Sequence, residues 1–213
     1  RLASDFTVTG SDTAYDRVAN YLDSLSYQML MTILVVAVLA AVISLLWSIF
    51  VTAPLEVGRD RYFMESRQAL SPAATVTSVF RTPYMNVVKV QFLKNLKIFV
   101  GTLLFVVPGI YWDYCYALVP YLLAENPYMT TTRAMQLSKD IMDGEKFHYF
   151  VLGLSFAGWI LLCMFTLGIG YFFLEPYRQA TDAEFYAAMR SKALAQGLTT
   201  TEELGGFVRH ESY

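Results

Sequence analysis

Two long stretches without a charged side chain constrain this chain more than anything else in it. From Ser24 to Leu55, and again from Phe147 to Leu174 with His148 counted as neutral, no Asp, Glu, Lys or Arg occurs. Each is longer than the roughly 20 residues that cross a hydrocarbon core. A buried helix of a water-soluble domain rarely stays apolar on every face for that length. Composition agrees: 16% of the 213 residues are charged, against about 25% in an average soluble domain. The sequence reads as an integral membrane protein. In lipid an open strand leaves backbone groups unpaired, so the β-branched run MLMTILVVAVLAAVISLLWSIFV is expected to be helical.

The expected fold class is all-α, a multi-pass transmembrane bundle with helical hairpins broken at Pro or Gly and amphipathic surface helices. Residues 1–28 form a polar lead with an amphipathic helix that Ser11 would cap. The transmembrane domain runs over 29–190, with spans at about 29–51, 92–107, 110–124, 147–166 and 171–188, and residues 191–213 form a polar tail. Thr200 and Glu203 have the spacing of a capping box. The segment TTTRAMQLSKDIMDG places Ala134, Leu137 and Ile141 on one face, with Gly144 as a stop, and is expected to lie on the membrane surface. The chain opens on Arg1 rather than Met, so an upstream piece is expected.

Charge distribution gives an expected topology. Arg59, Arg61, Arg67, Arg81, Lys89, Lys94 and Lys97 fall in the stretch from Glu56 to Lys97, ahead of the uncharged part of the second span; Arg133, Lys139 and Lys146 precede the fourth. Arg178, Arg190, Lys192 and Arg209 follow the last turn. The candidate turns at Pro108-Gly109 and Gly168–Gly170 hold no basic residue. The positive-inside rule then puts the basic loops and the C-terminus in the cytoplasm and both turns near the outer face. Lys94 and Lys97 would snorkel to the interface. Asp113 would sit just after an outer turn, sparing the cost of a carboxylate at the bilayer centre.

Candidate binding residues are few. Glu175 and Arg178 are three apart and can pair on a helix; Asp113 could approach Arg178 if the descending arms pack together, either as a structural pair or as part of an ion or substrate path. Lys139 and Lys146 could hold a lipid phosphate at the cytoplasmic surface, or act as a basic anchor. Tyr111, Trp112, Tyr114, Tyr116, Tyr121, Tyr171, Phe172 and Phe173 flank the turns as an aromatic belt would. Two sets of small residues, Ala37/Ala41/Ser44/Ser48 and Gly153/Ala157, would let another helix approach closely. The two cysteines, Cys115 and Cys163, sit in apolar segments and read as packing residues. No metal-ligand spacing, nucleophile elbow or phosphate loop occurs, so neither catalysis nor a metal or other cofactor is expected. A net charge of −2 argues against a nucleic-acid partner.

Several motifs occur in one order: Pro108-Gly109-Ile110, Ala124 to Pro127, Ser138-Lys139, Met142 to Lys146, Leu154 to Trp159, Thr166 to Gly170, Pro176-Tyr177 and Phe185-Tyr186. This run, over about residues 98–190, resembles the bacterial integral membrane proteins catalogued as domain of unknown function 975. The chain departs from that pattern at Glu145, where the family usually has His or Asn, and matches only loosely over residues 1–97. The resemblance implies a multi-helix protein of the bacterial cytoplasmic membrane and brings no activity with it. The function expected is a non-enzymatic membrane scaffold or accessory subunit, its partners the lipid bilayer and either copies of itself or another membrane protein. The alternative is a small transporter or lipid- or solute-binding protein that uses the hairpin interface.

Overall fold

The computed structural model describes residues 9–205 except Thr82. Among the described residues every regular element is helical. The chain divides into two compact units, Arg1–Trp47 and Ser48–Tyr213.

The first unit is one helix, α1, Thr9–Trp47. Its side chains from Tyr15 onward are exposed, with Leu25 partly covered. Large apolar residues face outward all round it, Ile33, Val36, Leu39 and Ile43 among them. Three of its hydroxyls bond to their own backbone: those of Ser24, Ser26 and Thr32 donate to carbonyls three or four residues back, which satisfies a polar group that lipid would not solvate. Ser11 lies inside this helix rather than before it, and its side chain is outside the described set.

The second unit begins with a π-helical stretch, Ser48–Thr52, and α2, Ala53–Ser66, with Pro54 in its first turn where no intrahelical N–H is needed. A 3-10 segment, Ala73–Phe80, follows. Then come α3 (Tyr84–Leu104), α4 (Val106–Cys115), α5 (Val119–Glu125), α6 (Thr131–Ile141), α7 (Lys146–Ser155), α8 (Ala157–Phe165) and α9 (Tyr171–Ala195). One core is shared by α2, the first half of α3, α5, α6 and the second half of α9, and it includes Val57, Val87, Leu122, Leu137 and Tyr186. A smaller cluster, Phe156, Cys163 and Leu174, joins α8 to the start of α9.

The segment expected to span at 110–124 does not do so as one helix. The chain turns between α4 and α5, and all of α5 is buried, Glu125 included. Its apolar side chains face protein, since α2 and α6 cover it. Hydropathy alone cannot separate that from lipid burial. The turn of the first hairpin also moves. It falls at Phe105, whose backbone is extended, and Pro108 occupies the first turn of α4, where its missing N–H costs nothing. Gly109 serves the packing: a Cβ there would lie 2.7 Å from the Cα of Thr102, so α3 and α4 approach more closely than any side chain allows. Lys94 does not snorkel. It is buried, with Nζ 4.0 Å from a carboxylate oxygen of Glu56. Within the tail, Ser191–Ala195 complete α9, and Thr199 and Leu204 are buried. Of the expected capping box, the Glu203 N–H to Thr200 Oγ1 bond forms at 3.2 Å. Residues from Gly206 onward lie outside the described set.

The second hairpin turns as the Gly-Ile-Gly motif suggests. The Gly168 N–H donates to Cys163 O at 2.9 Å and the Leu167 N–H to Met164 O at 3.2 Å, the double bond pattern of a Schellman cap. Leu167 holds the left-handed position, φ 51°, that usually belongs to glycine. α9 ends in the same way, with Gly197 at φ 70°. Leu167 is almost fully exposed, so little packing opposes a change there. Leu167→Gly is expected to raise stability by about 1 kcal/mol, read as a higher melting midpoint in mild detergent; a lower one would contradict the assignment of strain.

Two helical stretches, within Tyr15–Ser66 and within Lys146–Phe165, are long and apolar enough to cross a membrane. Exposed apolar side chains concentrate on them and on the α3–α4 tip, where Leu103, Phe105 and Val107 are each about three-quarters exposed.

Candidate functional site

A cavity of about 670 Å³ opens between α3 and α6. From α3 come Lys89, Leu93 and Lys97, four residues apart and therefore on one face. α6 contributes Thr131 and Thr132 at its start and Lys139 and Asp140 near its end, and Tyr116 lies against Lys97. Lys97 Nζ stands 5.7 Å from the Tyr116 ring centroid. Among the described residues none of the three lysines is in an ion pair; the lysines that pair are Lys94, Lys146 and Lys192. Asp140 is the one carboxylate in the lining, so the cavity carries excess positive charge.

Local sequence sets this geometry. Thr130 is extended and caps α6, its Oγ1 accepting the Arg133 N–H at 3.4 Å. Asn126 shapes the preceding turn: Oδ1 accepts the Tyr128 N–H at 3.1 Å, and Nδ2 donates to Glu203 O at 3.0 Å. Arg133 holds α6 to the tail with paired 2.7 Å bonds to Glu203. That guanidinium keeps the Glu203 carboxyl below its ordinary value of 4.5. Ser138 is buried and donates to Cys115 O at 2.8 Å, so its role is to fasten α6 to α4.

A second charged group joins α2, α5 and α9. Glu125 has a fully buried side chain. It accepts from Arg190 Nε at 2.8 and 3.1 Å and from the Tyr186 hydroxyl at 2.7 Å. Arg190 also donates to Leu204 O. Tyr121 stacks on Tyr186 at 5.0 Å, and the buried Asp60 and half-buried Asp182 lie near Tyr121. Burial pushes the Asp182 carboxyl up to about 6, with Arg178 and Arg59 opposing the rise. Both carboxylate oxygens of Glu125 find a partner, which is the pattern of a structural lock.

The residues expected from sequence distribute unevenly. Lys139 lines the lysine cavity, whereas Lys146 turns to Asp143 at 3.4 Å and to the Met142 carbonyl at 3.3 Å. Its ammonium lies over the Tyr111 ring. Glu175 and Arg178 approach to 3.9 Å. Asp113 is exposed on α4 and is not ion-paired with Arg178, although both lie near Tyr149. Within the aromatic set, Tyr116 and Tyr121 are buried in the protein core, while Tyr171, Phe172 and Phe173 are exposed. Ala37, Ala41, Ser44, Ser48, Gly153 and Ala157 are all exposed. A Cβ on Gly153 would meet nothing within 4 Å. Ser48 opens the π-helical stretch, where the 3.6-residue spacing of the stripe ends. Lys89 and Lys97 are partners of Lys139 that the sequence reading did not join to it; the i, i+4, i+8 spacing of Lys89, Leu93 and Lys97 is the signal that finds them. Among the described residues no group of three or more His, Cys, Asp or Glu is placed to hold a metal ion.

The family described as "Protein of unknown function (DUF975)" matches residues 7–193. The chain belongs to that family. The DUF975 match reaches well beyond the 98–190 run of motifs and takes in α1 and α2, which sequence reading matched only loosely. The search of curated proteins and that of solved structures returned no match. Two DUF975 motifs noted in the sequence now have a physical role here: Ala124 to Pro127 carries the buried Glu125 and the turn-forming Asn126, and Thr166 to Gly170 carries the hairpin cap.

Proposed function

We propose that this DUF975 protein is a non-enzymatic scaffold or accessory subunit of the bacterial cytoplasmic membrane. The observation that carries the reading is the outward-facing apolar surface of α1, with the small residues Ala37, Ala41 and Ser44 along one stripe. Water would leave such a surface to aggregate. Lipid accommodates it and leaves the small-residue face for another helix.

In this reading α1 crosses the bilayer and the basic helical layer of the second unit stays in the cytoplasm, with the C-terminus. The two hairpins dip into the near leaflet in place of the outer-face turns expected from sequence, and Lys146–Phe165, though long and apolar enough to cross, stays shallow with its returning arm. On α3 the uncharged arm from Ile98 to Leu104 is about 10 Å long at 1.5 Å per residue, a third of a hydrocarbon core. On α9 only Tyr171–Leu174 precede Glu175. A full crossing by either hairpin would draw Lys97 or the Glu175–Arg178 pair toward mid-bilayer, at roughly 2.5–3.5 kcal/mol per charge. A transporter built on Asp113 and Arg178 finds less support, because Arg178 pairs with its own neighbour Glu175.

The test is assembly. The protein, purified in mild detergent from its native membrane, is expected to run with a partner or as an oligomer. Ala41→Leu and Gly153→Leu place bulk on exposed faces, so they should leave helicity intact while weakening association by roughly 1–3 kcal/mol. Cross-linking yields and native mass spectrometry read the loss. A monomer that is indifferent to both substitutions would overturn the scaffold reading.

A further inference from the structure

We propose that the α3–α6 cavity binds a phosphate group bearing net negative charge, carried by an anionic phospholipid or by a small soluble phosphate. Three exposed lysines outside any described ion pair, Lys89, Lys97 and Lys139, line a space large enough for a glycerophosphate head. Three cations lining one concave space with a single carboxylate raise the local concentration of anions there. The Thr131 and Thr132 hydroxyls can add hydrogen bonds, and the start of α6 contributes backbone N–H groups with no intrahelical acceptor. Asp140 lines the same space; its carboxylate opposes a bare phosphate but can accept a hydrogen bond from a headgroup hydroxyl.

The direction of α3 points to lipid as the source. Continuing the Lys89–Leu93–Lys97 face toward the tip gives Val100 and Leu104, both exposed and apolar. One helix face thus offers lysines where a head would rest and a hydrocarbon track beside it. The lipid assignment rests on the membrane reading above; phosphate binding to the cavity does not.

Full-length protein in dodecyl maltoside is titrated with short-chain phosphatidylglycerol, with phosphatidylcholine of equal chain length and with inorganic phosphate, followed by native mass spectrometry and melting midpoint. Phosphatidylglycerol is expected to bind tightest. Each of Lys89→Gln, Lys97→Gln and Lys139→Gln should weaken it about fivefold, and the triple variant on the order of a hundredfold. Arg81→Gln, exposed and outside the cavity, serves as the control and should change nothing. Inorganic phosphate that binds and is lost in the triple variant, while phosphatidylglycerol does not bind, keeps the site and makes its source soluble. Equal binding of the two lipids with no phosphate effect, or binding that survives the triple variant, overturns the proposal. Circular dichroism checks folding, and the single variants serve where the triple one fails it. Neither result depends on whether α1 finds a partner.

Discussion

Arg190→Ala is expected to cost about 3–5 kcal/mol of stability, the range for breaking a buried ion pair from one side. The Glu125 side chain is fully buried and would keep only the Tyr186 hydroxyl. The Leu204 carbonyl would lose its donor as well. A charge left in that position neutralises or drags water into the core, and α5 and α9 separate. Glu125→Gln combined with Arg190→Met should be less damaging than Arg190→Ala alone, because the uncompensated charge is gone while Tyr186 keeps an acceptor. Thermal melts in one detergent read both. A loss below about 1 kcal/mol for the single variant, the level of an exposed pair, would show that the pair is not what holds α5 in place.

Gly58→Ala has the next largest expected effect, for a steric reason. A Cβ on Gly58 would lie 1.9 Å from the Val76 carbonyl oxygen and 2.9 Å from its carbon. Both are backbone atoms, so no rotamer change relieves the clash; α2 and the 3-10 segment must move apart. Overpacking of this kind costs about 1–3 kcal/mol, and the upper end is expected here. Gly153→Ala makes the opposite case. It sits on α7 with open space where the methyl would go, and replacing a helical glycine by alanine should stabilise by roughly 0.5–1 kcal/mol. The two substitutions, identical in chemistry, should shift the melting midpoint in opposite directions. A shift of the same sign would contradict the close approach at Gly58.

Helices are readable wherever their pattern is local. The 3.6-residue spacing of Ala134, Leu137 and Ile141 marks the apolar face of α6, which packs into the protein core and not on a membrane surface as expected, and Gly144 does adopt positive φ. The Gly-Ile-Gly hairpin turn is equally plain. What sequence does not supply is the neighbour of each apolar or charged side chain. α5 reads as part of a span because Leu122 and Leu123 look the same against lipid as against α2; the sign of protein burial is Glu125, whose partner Arg190 lies 65 residues away. Lys94 reads as a snorkelling lysine for the same reason, its Glu56 partner being remote in sequence. Pro108-Gly109 reads as a turn because both residues break helices, yet proline opens α4 and glycine admits Thr102. For the site, Lys139 is visible alone, and the lysines opposite it become visible only once α3 is seen to pack on α6.

The membrane reading proposed above puts both apolar hairpins in lipid and the basic helices of the second unit in water. Spin labels at single cysteines test that arrangement directly, with the protein in vesicles and collision rates measured for oxygen and for a water-soluble nickel chelate. Labels at Phe105 and Leu167 should collide with oxygen and be shielded from the chelate, and labels at Thr77 and Gln196 should show the reverse. Chelate access at either hairpin tip, matching that at Thr77, would contradict it.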